Sequence, residues 1–461
     1  METRGHDGSL VIERRSPMPV GAKALFAWHE RPGAFERLTP AWMPARVLAR
    51  EGGIRDGATV RLAVPVGPLH LRWDVRHEGY EAGRVFRDVQ TRGPFAAWEH
   101  THRMEPVDAG HSVLEDRIRF RLPLGPLGTL AAGAYTRAQL ARLLAWRHAL
   151  TAADLERHAA FVARGPRRFA VTGASGFVGA ALVPFLTTGG HEVRTIGRGA
   201  GATVRWDPAR GQLDADALEG VDGVIHLAGE NVGARWTAAR RRAIVESRIQ
   251  GTRLLAERCA RLRTKPEVLV SASAIGIYGL RGDEWLDESS VLGDDFLAEV
   301  GQAWEAATAP ARDVGIRVVH LRIGIVLNPA GGALAKMLLP FQLGVGGRLG
   351  SGRQWMSWIS REDLVGAIHH ALQVPSLAGP VNATAPAPVT NAEFTRTLAR
   401  VLRRPAIAPV PAAALRALFG EMAEGTVLAS QRVRPAALEA SGFRLRHPTL
   451  ETALRFELGR A

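Results

Sequence analysis

The 461-residue sequence predicts an α+β unit over residues 1–165, then a doubly wound parallel α/β sheet over 166–385, closed by a small C-terminal extension, 386–461. Three observations carry this. Apolar and polar residues alternate with a period of two from Leu10 to about Arg121, the mark of an antiparallel sheet with one buried face. Helical spacing replaces it from about Thr129 to Val162. Beyond the Gly/Pro/Arg linker Ala163–Arg168, strand and helix patterns alternate, opening on Phe169–Gly179 with glycines at 173, 176 and 179.

Residues 1–10 are polar and read as a frayed end. Strands are expected at Thr59–Val64, His70–Val75, Val85–Val89, Trp98–Met104 and Val113–Phe120, with helices near Val20–His29 and Ala34–Leu38. Leu130, Ala134, Leu140, Leu143, Leu144, Ala149 and Leu155 then predict one long helix, or two joined near Leu150–Thr151. A curved sheet gripping such a helix leaves a cavity between them.

In the second unit, strands are expected at Phe169–Val171, Glu192–Ile196, Gly223–His226, Glu267–Ser271 and Arg317–Ile323. Helices are expected at Phe177–Thr188, Ala239–Arg261, Phe296–Val314 and Glu362–Leu372. Thr390-Asn-Ala-Glu393 is a capping box that opens a further helix. Gly173, Gly176 and Gly179 lie between a strand and a helix, with a second strand following. That context predicts a dinucleotide site: a tight turn, close backbone approach to a pyrophosphate, and a helix N-terminus aimed at it.

Composition narrows the function. With 46% hydrophobic and 23% charged residues the chain is ordinary globular material. No apolar run reaches membrane-spanning length, and the N-terminus lacks the apolar stretch of a secretory signal. Cys259 is the only cysteine, so a reducing cytoplasm is expected and the thiol reads as a packing residue. The net charge of +14 is dispersed: residues 1–165 carry 24 Lys and Arg against 18 Asp and Glu, the remainder 35 against 27. Aromatics are not interleaved with the charge, so a nucleic-acid partner is not expected.

Thr195-Ile-Gly-Arg198 ends the second strand without the acid that would bind a ribose 2′-hydroxyl. Arg198 is therefore the expected partner of a 2′-phosphate, favouring NADP with NAD possible. His226-Leu-Ala-Gly-Glu-Asn231, Ile249-Gln-Gly-Thr252, Ser271–Gly279 and Leu321–Leu327 follow in an order that resembles the extended short-chain dehydrogenase/reductases, the NAD-dependent epimerase/dehydratases with their Rossmann-like fold. Gly229-Glu-Asn-Val, Arg235-Trp-Thr, Gly293–Glu299, Gly350–Trp358 and Val381–Pro386 resemble its sugar-nucleotide-epimerase-like subgroup, which carries a C-terminal domain of unknown function, here about 410–458. The resemblance implies a cofactor set of Gly173, Ser175, Gly176, Phe177, Val178, Gly179, Arg198, Leu227, Ala228, Gly229, Glu230 and Arg322. It also implies a small-molecule substrate and oxidoreductase or epimerase chemistry. The alternative is a protein that holds NADP(H) without turnover.

Leu25–Trp42, Gly57-Ala-Thr-Val60 and Trp98-Glu-His-Thr-His102 resemble the polyketide-cyclase/START-like (SRPBCC) helix-grip superfamily, which implies an apolar ligand in the cavity of residues 1–165. His100 and His102 point to one side of a strand, with His77 nearby in sequence. No third and fourth ligand can be placed, so packing or solvent-facing histidines are expected and no metal site is assigned.

The second unit departs from its relatives at the chemistry. They use a Tyr-x-x-x-Lys pair, in which lysine lowers the phenol's pKa for proton transfer. This chain has tyrosine only at 80, 135 and 278, and lysine only at 23, 265 and 336. Phe296-Leu-Ala-Glu-Val300 stands where the pair should be. The replacement candidates are Ser273 (or Ser271), Tyr278 acting without a lysine, and Asp295 (or Glu299). A helix N-terminal acid such as Asp295 also simply complements the macrodipole. Trp355 is a candidate pocket wall or core residue, and Lys336 a candidate for meeting an anionic substrate.

Overall fold

The computed structural model describes residues 3–4, 8–66 and 69–460. Internal contacts divide the chain into two compact units. One comprises residues 1–165 with 187–190 and 459–461, the other 166–186 with 191–458.

In the first unit, eight strands form one antiparallel sheet. Their spatial order is Thr3–Arg4, Leu10–Met18, Ser112–Arg121, Ala97–Pro106, Val85–Arg92, Leu69–Glu81, Thr59–Val66 and Arg46–Glu51. The alternation is physical: Leu114, Asp116, Ile118 and Phe120 are buried while Arg117, Arg119 and Arg121 face water. The stretch expected to fray lies partly outside the described residues. Within them, Thr3–Arg4 pairs with Leu10–Val11 and Leu10 is buried, so it belongs to the sheet. The edge strand Arg46–Glu51 escaped the sequence because all six residues are exposed and show no alternation. Its charges guard an open edge.

A single helix, Gly125–Ala159, replaces the two that the pattern allowed. Leu140 and Leu144 pack with Leu10, Ile12, Trp98, Ile118 and Phe120 of the sheet; burying each leucine contributes about 2 kcal/mol. Arg37 and Asp154 form a buried two-pronged pair at 2.7 and 2.8 Å that ties the short helix Ala34–Arg37 to the long one.

In the second unit the sheet order is Gln212–Leu213, Val204–Asp207, Glu192–Gly197, Arg168–Thr172, Gly223–His226, Val268–Ala274, Arg317–Ile323 and Gly379–Ala383. All pairs are parallel except the first, which is antiparallel. The order reverses beside Arg168–Thr172, the switch point where such sheets bind ligands. Near-continuous apolar strands, buried on both faces, fill the core: Phe169, Val171, Ile225, Val268, Val270 and Val319 pack with Leu182, Phe185 and Ile368 of flanking helices. Val204–Asp207 and Gly379–Ala383, each of four or five residues, were not anticipated.

The first helix begins at Gly179, two residues later than expected, because residues 173–178 form the turn. The helix expected over Phe296–Val314 ends at Ala306 and resumes at Ala309–Arg312, where Pro310 supplies no N–H. Thr390 caps Asn391–Leu402 through the N–H of Glu393, as the capping box predicted. Cys259 is fully buried, and burial pushes its thiol up to about 12, the behaviour of a packing residue. Among the described residues no helix is long and apolar enough to cross a membrane.

Candidate functional site

The glycine turn leaves Arg168–Thr172 with Gly173 at φ +68°, a conformation that disfavours side chains. A Cβ on Gly173 would lie 2.9 Å from the Leu227 carbonyl carbon. One on Gly179 would lie 2.2 Å from the Gly173 oxygen, and one on Gly176 3.1 Å from that same oxygen. The spacing thus closes the turn on itself and against the neighbouring strand end. Ser175 and Gly176 are exposed at its tip. Val178 packs into the core, and Phe177 lies against Gly331 and Gly332.

Leu227–Glu230 is held beside this turn by a buried relay. Thr172 Oγ1 accepts the N–H groups of Leu227 (3.1 Å) and Ala228 (3.2 Å). Its own proton therefore goes to His226 Nδ1 at 2.7 Å. That fixes the imidazole with its hydrogen on Nε2, donated to Thr252 Oγ1 at 2.9 Å. Burial, reinforced by the charge of Arg248, lowers the His226 pKa to about 4, so the ring is neutral. Glu230 N–H bonds Ser247 Oγ, its carbonyl accepts from Arg248, and its carboxylate pairs with Arg240 at 2.8 Å. The Ile249–Thr252 motif owes its threonine to this relay.

Arg198 is exposed just past Glu192–Gly197. It lines a surface pocket of about 480 Å³ with Arg205, Arg210 and Arg258, accompanied by Asp207 and Asp214.

The candidate acid–base groups fall into two places. Ser273 Oγ donates to Glu305 Oε1 at 2.7 Å. Arg322 grips both oxygens of Glu305 at 2.9 Å and donates to the Tyr278 hydroxyl at 3.0 Å. Tyr278 donates in turn to Asn382 Oδ1 at 2.7 Å, and Asn382 Nδ2 to the Arg434 carbonyl. Burial opposes the charge on Arg322, but Glu305 outweighs it and raises the guanidinium's pKa. Burial also raises the Tyr278 phenol, which is completely enclosed. Arg322, expected among the cofactor residues, thus has its nitrogens on Glu305 and Tyr278. Glu305 was missed, since nothing in its local pattern distinguishes it from an ordinary helix carboxylate; Asn382 lies in the Val381–Pro386 motif but was given no role there.

Asp295 caps Phe296–Ala306, its Oδ1 accepting from Leu297 and Ala298 N–H at 3.0 Å each. Ala274, the position four before Tyr278, is exposed. Phe296 stacks edge-on against Trp236 at 5.1 Å, with the Arg241 guanidinium 4.0 Å above its ring. Lys336 donates to the Gly233 carbonyl at 2.7 Å. Trp355 bonds Asp283 through Nε1, and Arg432 lies between the Trp285 and Trp355 rings.

In the first unit a cavity of about 150 Å³ opens between sheet and helices. Its walls include Val60, Leu62, Trp73, Val75, Phe86 and Trp98. His77, His100 and His102, expected as packing or solvent-facing residues, are buried and line it.

Comparison with known proteins matches residues 169–383 to the NAD dependent epimerase/dehydratase family and 410–457 to a domain of unknown function, DUF1731. Epimerase family protein Mb2239 of Mycobacterium bovis is 45% identical over 291 residues, 62% of this chain and 96% of that protein. Human epimerase family protein SDR39U1 is 37% identical over 293 residues, 62% of this chain and 98% of that one. Among solved structures, the nucleoside-diphosphate sugar epimerase from Corynebacterium glutamicum superposes with a TM-score of 0.80 at 35% identity, covering 97% of this chain and 90% of that one. A human SDR39U1 structure with NADPH gives 0.59 at 36% identity, covering 63% and 99%. This chain belongs to the NAD dependent epimerase/dehydratase family.

Proposed function

We propose that the second unit binds NADP(H), with NAD as a weaker alternative, and serves an oxidoreductase or epimerase reaction on a small carbonyl or alcohol. The observation that carries this is the relay Thr172–His226–Thr252, which uses three buried side chains to hold Leu227–Gly229 beside the glycine turn. The cradle fits a nucleotide: Gly173 and Gly179 admit no Cβ without a clash, and the helix N-terminus follows at once. Gly173, Ser175, Gly176, Phe177, Val178 and Gly179 would hold the pyrophosphate, and Leu227–Glu230 would flank the riboses. Arg198, in an arginine-lined pocket, would take the 2′-phosphate. The cofactor would supply the hydride; the human relative's structure with NADPH supports this choice.

The proton must move without a Tyr-Lys pair. Ser273 is the best placed of the candidates, since its hydroxyl already donates to Glu305, so a proton taken from a substrate hydroxyl would have a carboxylate behind it. Asp295 and Tyr278 have cap and network duties. A second reading, nucleotide holding without turnover, draws on Phe296 standing under Arg241 where relatives place a phenol.

For the first unit we propose a helix-grip module of residues 1–165 that takes a small, largely apolar ligand. Its antiparallel sheet, single long helix and apolar cavity support this. Residues 166–385 would form the nucleotide domain and 386–461 the extension completing its substrate side. The test is NADPH oxidation with a panel of small carbonyls, followed at the nicotinamide absorbance. Turnover that Ser273→Ala cuts at least about tenfold supports the enzyme; no turnover with any carbonyl, in a chain that binds NADPH, supports the holding protein.

A further inference from the structure

The cavity face of the antiparallel sheet carries two adjacent rows of side chains that neither proposal above uses. One row crosses three strands as His77, Asp88 and His100; the next runs Phe86, His102, Asp116. Phe86 stacks on the His102 ring at 4.3 Å and fixes its plane. The rows bring Asp88 Oδ1 to 3.5 Å from His100 Nδ1 and 3.4 Å from His102 Nε2. Asp88, His100 and His102 each offer one donor atom, and the three atoms lie within 4.8 Å of one another.

The two separations from Asp88 Oδ1 are those of a coordination shell. A tetrahedral zinc ion with bonds of about 2.0–2.1 Å has donor–donor edges of about 3.4 Å. Asp116 stands behind both histidines, its Oδ1 2.7 Å from His102 Nδ1 and 3.6 Å from His100 Nε2 though aligned for a hydrogen bond with neither, while His148 Nε2 bonds its other oxygen at 3.0 Å. A carboxylate in that position can orient a ligating histidine. Trp98 Nε1 occupies Asp88 Oδ2 at 3.2 Å, leaving Oδ1 for a single bond. His77, more than nine-tenths buried beside Asp88 and lining the same cavity, has no hydrogen-bond partner on Nδ1 among the described residues.

We infer that Asp88, His100 and His102 form a three-ligand site for a zinc-like divalent ion. Its fourth position opens on the apolar cavity, where it takes water or the oxygen of a small ligand. Two imidazoles and one carboxylate with an open position suit zinc that acts on a ligand rather than zinc that only braces a fold. The sequence offered the two histidines and withheld the third ligand, because Asp88 lies a strand away.

The experiment uses the full chain, stripped with a chelator and titrated with zinc, with cobalt(II) as the spectroscopic stand-in. One equivalent per chain with the visible bands of four-coordinate cobalt is expected. Asp88→Asn and His100→Ala should each weaken it at least about 100-fold, and Asp116→Asn about 10–100-fold. No stoichiometric uptake, or uptake undiminished in both Asp88→Asn and His100→Ala, overturns the site. Should those variants fail to fold, X-ray absorption of the zinc-loaded wild type decides. Two imidazoles with oxygen donors support the assignment, and an all-oxygen shell overturns it.

Discussion

The clusters around Glu305 and around Asp88 both bury carboxylates beside basic side chains, yet their hydrogen bonding differs. Glu305 receives Ser273 and both arms of Arg322, and the chain runs on through Tyr278 to Asn382 with every hydroxyl engaged. Around Asp88 the groups face a cavity. A closed network holds its members rigid, Ser273 included, since its groups answer one another. An open one retains capacity for something that enters. The distinction matters most in the second unit, where residues resembling catalytic ones sit in the closed network.

The largest effect should come from breaking that network. Glu305→Ala leaves Arg322 buried without its partner and should cost about 3–5 kcal/mol in urea unfolding of the second unit. A loss under about 1 kcal/mol would mean the cluster is not structural.

Acid tests the neutral relay. His226 has a folded pKa of about 4 against 6.5 for the free side chain. The unfolded chain therefore takes up a proton that the folded chain refuses as pH falls from 6.5 toward 4. Stability is full above that window and should drop by about 3 kcal/mol across it. His226→Asn, which cannot charge there, should show a correspondingly flatter profile.

Thr172→Val keeps the shape but orphans the Leu227 and Ala228 N–H groups. About 1–3 kcal/mol of stability should be lost, and NADPH affinity should fall with it as the loop loosens. Smallest should be Asp295→Asn. The amide oxygen can still cap Leu297 and Ala298, so stability should change by about 0.5 kcal/mol or less. Collapse of a measured turnover in that variant would instead make Asp295 a proton carrier.

Much of the fold was legible because its causes are local. Period-two alternation in Val113–Phe120 and the glycines at 173, 176 and 179 each follow from one stretch of chain. Arg46–Glu51 was not legible, being an edge strand with no buried face. The nucleotide turn was legible as a motif, but the reason for Thr172 lies in contacts 54 residues away in sequence. Phe86 and Asp88 share a strand face two residues apart, so a cavity carboxylate could have been suspected. Its opposition to His100 comes from register alone. Arg322 was legible as a motif position, but its partner, Glu305, is set by packing.

The most direct measurement is a fluorescence titration of the folded chain with NADPH and NADH, repeated with Arg198→Ala. The account predicts binding of both nucleotides, NADPH at least about tenfold tighter, with that preference lost in the variant and NADH affinity unchanged. Failure of the folded wild type to bind either nucleotide would contradict it.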